Sequence, residues 1–177
     1  MMRLFAALEP SDEFRQALDK LQKRLKDAGV GGRYLDLNNL HMTLAFIGAW
    51  AEDVTEYLPA VEKPFRIRLS HLGVFPEAAV LWAGTEPCRA LDDLAKRVRF
   101  SLANAQIPFD RKKFFPHITL IRKPSVPGRV VLSDIPIPPA EMTVRDVCLY
   151  RSDRAGDGMA YTLIGRSSEG FSEPSGG

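Results

Sequence analysis

The sequence predicts an α+β fold: a bilobed, pseudo-two-fold molecule in which two mainly antiparallel sheets face a central cleft, with helices on the outside. Three observations lead there. Two long stretches carry the 3.6-residue apolar period of amphipathic helices, while many short runs show the alternation or apolar density of strands. The strand-like runs outnumber the helices and often follow one another closely, so they can pair antiparallel. The order strand, amphipathic helix, then a strand opening on His-x-Thr also occurs once in each half, with His41 and His117 separated by 76 positions of a 177-residue chain.

Taken in order, "RLFAALE" (3–9) reads as a buried strand. "SDEFRQALDKLQKRLKDAG" follows, with apolar residues at 14, 17, 18, 21, 25 and 28 along one helical face. Ser11 suits its N-cap, Asp12 and Glu13 suit the positive end of its dipole, and Gly29 suits its stop. Gly31 to Asn39 reads as a short strand and a turn leading into the strand "LHMTLAFIG". Residues 52–62 place Val54, Tyr57, Leu58 and Val61 at helical spacing, against the interruption of Pro59. "FRIRLSHLGVF" alternates as a half-buried strand does, and "AVLWAGT" reads as a short buried one. In "RALDDLAKRVRFSLANA" a stripe of Leu91, Leu94, Ala95, Val98 and Leu102 predicts the second helix. The strand "HITLIRK", a proline-rich connector through "IPIPP" (135–139) and two closing strands, "MTVRDVCLY" and "MAYTLIG", complete the chain. One bilobed domain is expected over 1–167, and the Ser-, Gly- and Glu-rich end, 168–177, is expected to be a flexible tail.

Composition narrows the classes. The formal charge of +2 is too small to predict nucleic-acid binding by itself, so any basic site has to be local. Cys88 and Cys148 form no C-x-x-C pair and read as two thiols in a reducing compartment. The first apolar stretch is too short for a signal segment, and no window approaches the ~18 apolar residues of a spanning helix. A cytoplasmic monomer with no membrane partner is the expectation.

The chemistry lies in "HMTL" (41–44) and "HITL" (117–120). On a strand, residues i and i+2 share a face, so His41 points with Thr43 and His117 with Thr119, while Met42, Leu44, Ile118 and Leu120 back them. Threonine occupies 6 of 177 positions, so a given histidine has roughly a 3% chance of a threonine two places on. Two such hits among three histidines are not coincidence, although each pair also admits a plain core reading. Imidazole titrates near 6.5, so two of them across a cleft can act as base and acid, each step contributing ~10²–10⁴ in rate. Threonine hydroxyls beside them suit the non-bridging oxygens of a phosphate, and displacement at phosphorus needs a base and an acid on opposite sides.

These tetrapeptides resemble the paired H-x-T-x motifs of the 2H phosphoesterase superfamily. "RLFAAL", "NNLHMTLAFIG", "GVFP…VLWAG" and "FFPHITLIR", in that order, resemble its RNA 2′,3′-cyclic phosphodiesterase branch, the 2′-5′ RNA ligase-like proteins, from about Arg3 to Gly165. The resemblance implies a bilobed α+β fold and metal-independent hydrolysis of 2′,3′-cyclic phosphate ends to 2′-phosphomonoesters. It implies RNA with such an end, tRNA halves or oligoribonucleotides, as the partner, and in some members 2′-5′ joining. It also implies His41 as the acid on the leaving 3′ oxygen and His117 as the base that activates water; the symmetry of the motifs alone permits either assignment.

Further candidates come with plainer readings. Arg122 matches an arginine the family places near the phosphate, but strict alternation puts it on the face opposite His117 unless the strand bulges. Phe46 can stack on a base or belong to the core. "DRKKFF" (110–115), Arg151 and Arg154 can guide RNA phosphates or be merely solvated, and His71 reads as structural or surface. Neither histidine strand offers a carboxylate, a thiolate or a second histidine at ligand spacing, and there is no Walker-type loop, so neither metal nor cofactor is expected. Two other functions stay open: a 2H phosphodiesterase acting on 2′-5′ oligoadenylate or small nucleotide cyclic phosphates, and a non-catalytic RNA-end binder.

Overall fold

The computed structural model describes residues 1–168, and within them nine strands and two α-helices form two lobes. The four-stranded sheet runs β3-β1-β8-β9, from β1 (Met2–Leu8), β3 (Met42–Trp50), β8 (Cys148–Ala155) and β9 (Gly158–Arg166). The five-stranded sheet runs β2-β6-β5-β4-β7, from β2 (Gly31–Tyr34), β4 (Phe65–Phe75), β5 (Val80–Thr85), β6 (Ile118–Ser125) and β7 (Glu141–Val144). Every pairing in both sheets is antiparallel, as the close spacing of the strands along the chain allows. The α+β, two-sheet expectation holds.

Helix α1 (Asp12–Asp27) starts where Ser11 Oγ accepts the Phe14 N–H at 3.2 Å, and Gly29 ends it with φ of 93°. It buries Phe14, Ala17, Leu18, Leu21 and Leu25, the stripe read from the sequence. Helix α2 (Arg89–Asn104) buries Leu91, Leu94, Ala95, Val98 and Leu102. Each helix crosses over. α1 follows β1 of the smaller sheet yet packs on the larger, where Gln22 Nε2 donates to the Leu120 carbonyl of β6. α2 follows β5 of the larger sheet yet packs on β3, where Arg99 Nε donates to the Leu44 carbonyl. This exchange joins the lobes through one apolar core.

Two expectations need correction. Residues 52–62 form no α-helix: a single 3₁₀ turn, Thr55–Tyr57, stands there, and Pro59 two residues on has no N–H to extend it. Val54 and Leu58 are buried nonetheless, which accounts for the apolar spacing without a helix. "MTVRDVCLY" is not one closing strand but two, β7 and β8, on different sheets. At the crossing the Val147 N–H donates to Ser167 Oγ at 3.0 Å, which satisfies the backbone where the ladder breaks. Apart from Ser168, the expected tail lies outside the described residues. Both cysteines are free thiols, Cys148 buried and Cys88 half-buried.

Candidate active site

His41 and His117 occupy equivalent places, each one residue ahead of a strand, β3 in one lobe and β6 in the other. Their ring nitrogens are held alike. His41 Nδ1 lies 2.7 Å from the Asn39 carbonyl and His117 Nδ1 lies 2.7 Å from the Phe115 carbonyl. A carbonyl oxygen only accepts, so Nδ1 carries the proton in both rings and Nε2 is left for whatever enters the cleft. Asn39 also donates through Nδ2 to the Met159 carbonyl at 2.7 Å, tying the His41 anchor to β9.

Beyond each histidine the strands break register in the same way. Ala7 pairs with Thr43 and Ala6 with Ala45, so Leu44 is the extra residue of a bulge. Trp82 pairs with Thr119 and Leu81 with Ile121, so Leu120 is the extra residue of another. Two consecutive residues are buried in each strand, Leu44–Ala45 and Leu120–Ile121, and the alternation restarts one position late. Phe46 and Arg122 therefore turn to the cleft face beside the two threonines, which unbroken alternation would forbid. The carbonyls of the two extra residues are the ones that Arg99 of α2 and Gln22 of α1 bind, both at 3.1 Å. Both bulges are thus latched by the helix of their own lobe.

The cleft encloses about 740 Å³ and is lined by His41, Thr43, Thr119, Arg122, Phe46 and Tyr161, among others. His117 is not in this lining; it stands beyond it, near enough that its positive charge would disfavour a proton on His41. Arg3, Arg33 and Arg154 also reach the cleft. Arg33 is the cross-strand partner of Arg122, and like charges opposite one another destabilise a sheet unless an anion sits between them. Among the described residues neither has a carboxylate partner within ion-pair distance. The small net charge is thus concentrated where a phosphate would lie.

Each imidazole has its own aromatic surround. His41 packs against Phe5 at 4.6 Å between ring centroids and against the edge of Tyr161 at 5.1 Å. His117 meets Phe75 at 5.1 Å and Trp82 at 6.2 Å. Burial disfavours the charged ring in both. It takes His41 down to about 4, with the Asn39 carbonyl opposing the shift and Arg122 and His117 adding to it. His117 is also lowered by burial, against the pull of the Phe115 carbonyl. Both rings are therefore neutral near pH 7.

Of the other residues raised by the sequence, Arg154 reaches the cleft while Arg151 is bound to Asp153 at 2.8 Å. Arg111, Lys112 and Lys113 are exposed just ahead of Phe115. His71 is exposed on β4 with its ring against the edge of Trp82 at 5.5 Å. Sequence reasoning missed Arg3, Arg33 and Tyr161, each a lone polar or aromatic residue on a strand that pairing alone brings to the cleft. Among the described residues no three His, Cys, Asp or Glu side chains converge as metal ligands would, and no helix is long and apolar enough to cross a membrane.

Comparison with known proteins gives the family and the fold. Residues 10–156 match the model of the 2′-5′ RNA ligase superfamily. The RNA 2′,3′-cyclic phosphodiesterase of Aquifex aeolicus is 31% identical over 93% of this chain and 95% of its own length. The protein of that name from Escherichia coli is 29% identical over 93% of this chain and 94% of its own. The crystal structure of TT0787 from Thermus thermophilus superposes with a TM-score of 0.74 at 31% identity, covering 93% of this chain and 96% of that one. Apo E. coli LigT gives 0.73 at 27% identity, covering 93% and 95%. By the match over most of its length and by its two-sheet fold, the chain belongs to the 2′-5′ RNA ligase superfamily and is a phosphoesterase.

Proposed function

We propose that this enzyme hydrolyses RNA 2′,3′-cyclic phosphate ends to 2′-phosphomonoesters by two-histidine acid-base catalysis without a metal. The observation that carries the reading is the matched pair of Nδ1-anchored imidazoles, each with a threonine two residues on, bordering an arginine-lined cleft. Water attacks phosphorus as His117 Nε2 takes its proton; the bond from phosphorus to O3′ breaks, and His41 Nε2 delivers a proton to the departing oxygen. Thr43, Thr119 and Arg122 hold the non-bridging oxygens, where negative charge grows in the transition state. Phe46, 38% exposed on the cleft face, offers a flat surface for the terminal base.

The acid must carry a proton, and His41 by itself does not at pH 7. The substrate supplies the remedy: a phosphate anion beside the ring favours the imidazolium, so binding and protonation arrive together. Relatives support the substrate class: several carry the name RNA 2′,3′-cyclic phosphodiesterase, and E. coli LigT has been crystallised with 3′-AMP and with phosphate. With an RNA 5′-hydroxyl attacking phosphorus in place of water, the same step breaks the bond to O3′ and joins a 2′-5′ linkage.

The test is an oligoribonucleotide ending in a 2′,3′-cyclic phosphate, incubated with the protein and EDTA. A 2′-phosphate product is expected. A 3′-phosphate reverses the leaving group, and intact RNA alongside cleaved 2′-5′ oligoadenylate moves the activity to that ester class.

A further inference from the structure

Beside the cleft lies a second pocket of about 260 Å³, which shares Arg33, Arg122, Met159 and Tyr161 with it and continues to Asn39 and Gly158. Arg33 stands on the edge strand β2. A Cβ built at Gly158, the first residue of β9, would lie 3.7 Å from Arg33 Nη2, so the side chain reaches from the five-stranded sheet to the four-stranded one. The one carboxylate in the lining, Asp36, is turned to its own backbone, where Oδ1 accepts the Asn38 N–H at 2.9 Å. Among the described residues Asp36 makes no ion pair with Arg33. An arginine with no carboxylate of its own, opposite a second arginine that the reacting phosphate engages, is a place for a second anion.

The stereochemistry of the substrate identifies that anion. His41 protonates O3′, so the C3′ edge of the ribose faces His41. C3′ carries C4′, and C4′ carries C5′ and O5′; O5′ belongs to the phosphodiester that joins the terminal nucleoside to the rest of its strand. The 5′ side of the strand therefore leaves past His41, while the base, on C1′ beyond C2′, points the other way. The protein has the same polarity along β3. Phe46, with Arg3 5.8 Å from its ring centroid, lies beyond Thr43 at the base end. Asn39 precedes His41 at the other end, tied through Nδ2 to the Met159 carbonyl, and Arg33 and Gly158 line the same pocket. A free nucleoside cyclic phosphate has no charge to place there, and an RNA strand has one.

We propose that Arg33 and its pocket bind the phosphodiester immediately 5′ of the terminal nucleoside, so that the enzyme selects the ends of RNA strands over free nucleoside 2′,3′-cyclic phosphates. The inference rests on the hydrolase reading, because the position of O3′ sets where the strand leaves. No bond forms or breaks at this second phosphate; its charge is held while the cyclic one reacts.

Three substrates test it: adenosine 2′,3′-cyclic phosphate, a diadenosine dinucleotide ending in the same cyclic phosphate, and that dinucleotide with an uncharged methylphosphonate linkage. The first sugar of both dinucleotides lacks its 2′-hydroxyl, so neither linkage can cyclise. A hydrogen bond to a charged group changes affinity by roughly tenfold, so wild type is expected to show kcat/KM about tenfold higher for the charged dinucleotide than for either other substrate. Arg33→Gln should bring the three to within about twofold of one another, and Arg33→Lys, which keeps the charge but not the fork of donors, should retain part of the preference. Loss of Arg33 also relieves the like charge opposite Arg122, so the sheet is expected to hold, and continued cleavage of the mononucleotide shows that it does. Arg154→Gln removes a charge elsewhere in the cleft and should leave the preference in place. If wild type treats the three substrates alike, if the methylphosphonate matches the phosphodiester, or if Arg33→Gln keeps the preference, the pocket is not a phosphate subsite, and turnover of the mononucleotide leaves the hydrolase reading standing. If Arg154→Gln erases the preference as fully as Arg33→Gln does, the general field of the cleft selects the strand and the assignment to this pocket is wrong. If none of the three is cleaved, the hydrolase reading falls and the subsite with it.

Discussion

Substrate binding should load a proton onto His41. This ring titrates at about 4, so at pH 7 roughly one molecule in a thousand carries the proton its role requires. Placing it there at pH 7 costs ~4 kcal/mol, three pH units at 1.36 kcal/mol each. A phosphodiester monoanion about 4 Å away, at an effective dielectric of about 20, returns ~4 kcal/mol. The two terms nearly cancel, so at pH 7 the protonated and neutral rings are about equally populated in the complex. A suitable ligand is a 2′-5′ dinucleoside monophosphate whose first ribose lacks the 3′-hydroxyl: it is a monoanion across the range and cannot cyclise. Calorimetry in buffers of differing ionisation enthalpy should report uptake of about 0.9 proton at pH 5.5 and about half a proton at pH 7, with affinity falling nearly tenfold per pH unit between about 5 and 6.5. His41→Gln should abolish the uptake while His117→Gln keeps most of it. Uptake below about 0.2 proton at pH 5.5, or uptake that survives in His41→Gln, refutes the coupling and with it the assignment of His41 as the acid.

Three further outcomes follow from the same geometry. His41→Ala and His117→Ala should each lower kcat by ~10²–10⁴ with the fold intact by circular dichroism, and a variant of wild-type rate would exclude that residue from proton transfer. Gln22→Leu removes the side chain that binds the Leu120 carbonyl, so the bulge that aims Arg122 should relax; KM for the cyclic phosphate should rise about tenfold, with melting temperature lowered by only a few degrees. His41 titrates near 6.5 in the unfolded chain and at about 4 in the folded one, so the unfolded state binds more protons between those values and stability falls as pH drops from 6.5 to 4. Urea unfolding at pH 7.5 and pH 4 should show His41→Gln losing about 3 kcal/mol less than wild type across that interval, and equal losses would mean the ring is not held neutral by burial.

The helices and the two motifs were legible because their causes are local. Ser11, the Phe14-to-Leu25 stripe and Gly29 define α1 from within its own residues, and His-x-Thr shares a face on any strand. Phe46 and Arg122 were ambiguous for the opposite reason. Counting by two sends each to the wrong face, and the bulges that correct the count depend on Gln22 and Arg99, 98 and 55 residues away in sequence. The split of "MTVRDVCLY" and the fate of residues 52–62 were equally non-local, one decided by which sheet had an edge to offer and the other by burial without a helix. Composition and spacing alone set which atoms could move a proton. Only the packing of two sheets set His117 near the cleft that His41 lines, set Arg33 opposite Arg122 and drove His41 down to about 4, because charge, burial and pairing act between residues that the chain keeps far apart.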